Sequence, residues 1–157
     1  MEALAALGQW PGAALLRGSE TAYLLVNATH ILGIGMLVGA VATLDLRLLG
    51  AFGRHPLAHL GPPLRVMAAG GLGLAVLTGA LLFSTRPVAY AANPAFLVKL
   101  GLLGFALVNI VLVQAGPWWR DALAGGVPHP VLRAAALVSL LAWLGALLAG
   151  RWIGFLQ

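Results

Sequence analysis

Cysteine is absent from this 157-residue chain, which excludes disulfides, thiolate metal sites, iron–sulfur clusters and cysteine nucleophiles. Charge is scarce as well. Asp, Glu, Lys and Arg make up 8% of the residues, against about 25% in a soluble domain. A protein of this size cannot solvate its surface with so little charge, so lipid must be the solvent for much of it. Other signals are missing too. No Ser/His/Asp set, phosphate-binding glycine loop, carboxylate pair or HExxH motif occurs, so hydrolase and nucleotide chemistry have no support. The strict alternation of barrel strands is also lacking.

What is present is apolar. Hydrophobic residues make up 61% of the chain and the mean hydropathy is +0.98. Four apolar runs, at about 22–44, 64–85, 95–114 and 131–150, each approach the ~20 residues that cross ~30 Å of hydrocarbon as a helix. Backbone groups in lipid must pair within their own segment, so the expected fold is all-α: an integral membrane four-helix bundle in one domain. Pro62-Pro63, Asn93-Pro94 and His129-Pro130 are expected to open the second, third and fourth spans, since proline is tolerated in a first turn. Residues 2–16, broken at Pro11-Gly12, are expected to form a short N-terminal interfacial helix. Met-Glu-Ala-Leu at the start lacks the positive n-region of a cleavable signal, so the first span is expected to insert the chain. Small-residue pairs, Gly35/Gly39, Ala69/Gly73 and Gly145/Ala149, mark where helices are expected to approach closely.

The net charge of +5 does not indicate nucleic acid, because the basic residues stand singly at the ends of apolar runs. Arg47, Arg54, Arg65, Arg120 and Arg133 fall on the side of the first and third loops, and Arg17, Arg86 and Arg151 on the side of the termini. The positive-inside rule then predicts a bacterial inner membrane protein with periplasmic termini. Lipid is the expected partner, with a homo-oligomer or larger membrane complex as a further one. Trp118-Trp119-Arg120 and Arg151-Trp152 read as interface anchors.

His30 lies about eight residues, or ~12 Å, inside the first span. Tyr23 and Asn27 precede it on the same face, and Gly33 follows about one turn later. An ionisable group at such depth is costly and usually faces the bundle interior. One reading makes His30 an axial ligand of haem b, its metal contact, or a proton carrier, with Gly33 leaving room for a flat macrocycle. The other makes it a neutral side chain bonded to Asn27, Thr29 or a neighbouring helix. Lys99, one turn inside the third span, falls in the same leaflet. Its amine either pairs with an anionic ligand group such as a propionate or snorkels to the interface. Asp45 lies ~22 Å along the axis from His30 and is expected to pair with a basic loop residue. His55, His59 and His129 share one side, but Pro56 disrupts the helical spacing of the first two. Only His30 among the histidines lies within a span, and a haem held between helices commonly takes two axial ligands. A single-histidine haem, a haem shared across a dimer, or none all stay open.

His30-Ile31-Leu32-Gly33, Asp45-Leu46-Arg47-Leu48-Leu49-Gly50, Asn93-Pro94-x-Phe96-x-x-Lys99 and Gly150-Arg151-Trp152 together resemble a bacterial family of four-helix membrane proteins of unknown function. More distantly, His30 and Lys99 resemble residues of the HemJ-type protoporphyrinogen oxidases and the CopD-type membrane proteins. The HemJ resemblance implies haem or porphyrin binding at those two positions. Asn109 stands about where that group is expected to carry a further histidine. Two functions follow as expectations. One is binding of haem b or a porphyrin- or quinone-type redox ligand at His30, Lys99, Asn27, Gly33 and Tyr23. The other is a non-catalytic membrane subunit or scaffold with His30 and Lys99 as interhelical contacts.

Overall fold

The computed structural model describes residues 2–155, and all its regular elements are helices. They are α1 (Glu2–Leu7), α2 (Pro11–Gly18), α3 (Glu20–Leu49), α4 (Leu57–Thr85), α5 (Pro87–Ala92), α6 (Pro94–Ala115), α7 (Pro117–Leu123) and α8 (Pro130–Trp152), followed by a 3-10 turn at Ile153–Phe155. Four of these, α3, α4, α6 and α8, are long and apolar enough to cross a bilayer. The protein is a multi-pass membrane protein with an all-α bundle.

Local chemistry explains most helix starts. Pro11, Pro87, Pro94, Pro117 and Pro130 each occupy a first turn, where the missing N–H has no helical partner to lose. Asn93 Oδ1 accepts from the N–H groups of Ala95 and Phe96 at 3.0 and 3.3 Å. Ser19 Oγ accepts from Ala22 N–H at 3.2 Å to begin α3. That helix ends at Gly50 with φ +114°, a left-handed cap that glycine adopts without a Cβ clash.

Two expectations about boundaries are corrected. Pro62-Pro63 does not open α4 but lies within it, because α4 begins at Leu57 after Pro56. Leu57, 5% exposed, packs with Leu48, Trp119 and Leu132, and this contact holds an extra turn and a half in helical form. The prolines and the Ala58 and His59 carbonyls they leave without donors belong to exposed residues, where water or headgroups can supply the missing bonds. The N-terminal segment is two helices rather than one. Of these α2 buries Ala13 and Leu16 and packs on α3 and α4.

α3 lies along α4, and α8 packs against both α3 and α6. The helices α1, α2 and α5 and the turn at Ile153–Phe155 share one end, where Arg17 donates to the Thr85 carbonyl at 3.2 Å. The α3–α4 loop and α7 share the other, where Trp119 is 3% exposed. Trp119 is therefore part of the packed floor rather than an interface anchor. Its neighbour Trp118 keeps the surface position, 40% exposed and stacked on His129 at 3.9 Å.

A close contact between α3 and α4 falls at a glycine pair that the small-residue patterns did not single out. A Cβ on Gly71 would stand 2.6 Å from the Leu37 nitrogen and 2.8 Å from the Gly33 carbonyl oxygen. One on Gly33 would stand 2.8 Å from the Ala75 nitrogen. Gly35, Gly39 and Gly73, by contrast, have open space where a Cβ would point. Gly145 does face a neighbour, at 3.2 Å from a Leu102 methyl.

Candidate functional site

Two polar regions lie at opposite ends of the bundle. The first is centred on His30, which is half-buried on α3. Its Nδ1 is 3.0 Å from Thr78 Oγ1, and Thr78 Oγ1 is 2.6 Å from the Leu74 carbonyl oxygen. A carbonyl only accepts, so the threonine proton lies on that bond and Thr78 accepts from His30. In the neutral imidazole this places the proton on Nδ1 and the lone pair on Nε2, with the Ala75 backbone a further partner of the ring. Gly79 makes room for the ring: a Cβ there would be 3.0 Å from His30 Cε1.

Lys99 reaches the same region from α6. Its stem lies across Gly150 of α8, with Cδ, Cε and Nζ 3.5, 3.6 and 3.8 Å from where a Cβ would be. From there the ammonium acts electrostatically on the His30 ring. Lys99 and His30 thus bear on the same region, with no hydrogen bond between them among the described residues. The structure also supplies Thr78 and Gly150, which sequence reasoning had not assigned to this site. Phe83, Tyr90 and Phe96 form an aromatic cluster at this end, with ring centroids 5.4 to 6.1 Å apart. Tyr23, 39% exposed, faces Tyr90 and Arg86 rather than the imidazole.

Gly33 does not serve as expected. The space above it is filled by the backbone of α4, so no flat macrocycle can lie there. Met36 is likewise turned to α4 at Gly71, and Met67 is 47% exposed. A haem with two axial ligands from this chain does not fit these residues. Asn27 is half-buried, and the partner of His30 is Thr78 instead. Among the described residues no group of three His, Cys, Asp or Glu could hold a metal ion. His129 is committed to capping α8 by accepting from Val131 N–H at 3.3 Å.

The second region surrounds Asp45, which is 6% exposed. Its expected ion pair is not formed. Arg47 turns instead to the His55 carbonyl oxygen at 2.7 Å, which closes the loop after α3. Asp45 Oδ2, Ser139 Oγ and Trp143 Nε1 are all buried without a hydrogen-bond partner, and all three residues line one cleft of about 520 Å³. A buried polar atom without a partner is costly, by about 1–3 kcal/mol. Asp45→Leu is therefore expected to raise the unfolding free energy in detergent by about that amount. A loss of stability in that variant would mean that Asp45 has a partner, either the neighbouring Ser139 or a group outside the single chain.

Comparison with protein-family models, with curated proteins and with solved structures gives no match.

Proposed function

We propose that this protein holds a lipid-soluble redox ligand, of the quinone or porphyrin class, at the His30–Lys99 end of the bundle. One observation carries the proposal: Thr78 holds the imidazole in the tautomer with Nε2 unprotonated, within electrostatic range of the Lys99 ammonium. A base beside a fixed cation suits a ligand head that donates a proton and carries partial or full negative charge. Of the two classes the quinone type, bound as its quinol, fits better, because a quinol hydroxyl can donate to Nε2 and needs no second axial ligand. A haem b would have to take His30 as its only ligand from this chain. The resemblance to HemJ-type proteins supports the same two residues. We further assign the chain to a bacterial inner membrane with its termini periplasmic, on the distribution of its arginines.

The test is an absorption spectrum and mass analysis of an organic extract of natively purified protein. A quinone is expected with the wild type and about tenfold less with His30→Ala. A Soret band lost in His30→Ala would assign a porphyrin-class ligand instead. Neither ligand in the wild type would refute the proposal.

A second reading is favoured by the same hydrogen bond. His30 ties α3 to α4 about one turn along α3 from Gly33, which packs on α4, as a polar contact in a non-catalytic scaffold subunit would. It predicts that Thr78→Val and His30→Ala each lower stability by about 1 kcal/mol and leave the composition of the extract unchanged. Stability measured in the same detergent as the extraction separates the two.

A further inference from the structure

The cleft beside Asp45 is independent of the His30 reading. Its walls are apolar side chains of α3, α4, α6 and α8, among them Val41, Leu72 and Ile110. Trp119 of α7 closes its end. α4 and α6 hardly touch, so the space between them opens sideways, toward lipid. Its lining includes three residues with buried polar atoms that lack partners, Asp45 at 6%, Ser139 at 3% and Trp143 at 2% exposure, of which Asp45 and Ser139 adjoin one another. Lone unpaired polar atoms in a core are rare. Three in one cavity, on two helices, have the form of a site whose partner comes from outside the chain.

Their chemistry narrows the class of that partner. Trp143 Nε1–H can only donate, so the ligand must carry an acceptor. A carboxylate at Asp45 can only accept, so the ligand must also carry a donor; were Asp45 protonated, a donor–acceptor group would still serve. Ser139 takes either role. An ammonium head would leave the indole N–H unpaired, and a ligand carboxylate would meet the Asp45 oxygens. A hydroxyl satisfies both. We propose that this cleft binds a lipophilic alcohol or phenol from the bilayer, with its hydroxyl between Asp45 and Trp143 and its apolar body along the α4–α6 opening. Asn109, whose amide N–H donates to the Ala135 carbonyl at 3.1 Å, also lines the cleft. Its side-chain oxygen offers a further acceptor there.

The probe is 4-octylphenol, with octylbenzene and octylamine as matched controls. The protein, labelled with 15N at its indoles, is titrated in detergent micelles, and the Trp143 signal is assigned from Trp143→Phe. A saturable downfield shift of the Trp143 indole proton with octylphenol is expected, absent with octylbenzene and octylamine. Asp45→Asn, which retains an acceptor but not the carboxylate, is expected to weaken the apparent affinity about tenfold, and Ser139→Ala to a smaller degree. The other four indole signals report that each variant is folded. Equal shifts with octylbenzene would mean that the cleft takes any apolar body, and a shift with octylamine alone would make it a cation site. Either result, the absence of any saturable shift, or an affinity unchanged in folded Asp45→Asn and Ser139→Ala alike, would overturn the proposal.

Discussion

Gly71→Leu is expected to abolish the native bundle or to lower its unfolding midpoint by on the order of 10 °C. The reason is backbone contact. The new Cβ would lie 2.6 Å from the Leu37 nitrogen and 2.8 Å from the Gly33 carbonyl oxygen, and neither atom belongs to a side chain that can rotate away. Relief requires α3 and α4 to separate along their whole shared length. Association of helices in lipid rests on van der Waals packing rather than on the expulsion of water, and packing is lost steeply with distance. Overpacking of this kind costs about 3 kcal/mol or more. Gly35→Leu and Gly39→Leu, where the added side chain meets open space, are expected to stay within ~0.5 kcal/mol of the wild type. Thermal unfolding in one detergent, followed by circular dichroism, compares all three. A midpoint for Gly71→Leu equal to that of Gly35→Leu would contradict the close α3–α4 approach.

Trp143→Ala is expected to cost about 3–5 kcal/mol, and Trp143→Phe no more than ~1 kcal/mol. The side chain is 2% exposed and packs with Leu37, Val41, Ala106 and Ala142, from three of the four spans. Removing the indole leaves a void next to a cleft that already exists, so the walls have little with which to refill it. Phenylalanine keeps most of the ring volume. It also removes an N–H that has no partner in the chain, which offsets part of the lost packing. Denaturant unfolding of both variants against the wild type gives the two values. Equal losses in Trp143→Phe and Trp143→Ala would assign the stability to the indole N–H rather than to the ring, and would mean that the N–H is already satisfied.

Both experiments probe contacts that periodicity could not locate. Gly33 and Gly71 were indistinguishable in sequence from Gly35, Gly39 and Gly73, because a helix rich in glycine presents small residues on every face. Which face meets α4 is set by the rotation of the helix, and that depends on all the side chains of its partner. Asp45 was misread for a related reason. Loop arginines stand close to it in sequence, but the loop closes by turning Arg47 to the His55 carbonyl, and the carboxyl is left beside Ser139 of α8. Trp119 looked like half of an anchoring pair. The short helix α7 turns it inward while Trp118 stays at the surface.

The sequence by itself determined that this is a membrane protein, that it is all-helical and that it has four spans, since these follow from the cost of charge and unpaired backbone in lipid, which acts on each segment separately. It also led to the expectation that His30 and Lys99 stand at a similar depth, since rise per residue relates position to depth. Tertiary structure alone decided the rest. It set the tautomer of His30 through a threonine 48 positions away, the path of the Lys99 stem through Gly150, and the gathering of three unpartnered polar atoms in one cleft. These depend on distances between residues far apart in the chain. Such distances are fixed only when four helices choose a common packing.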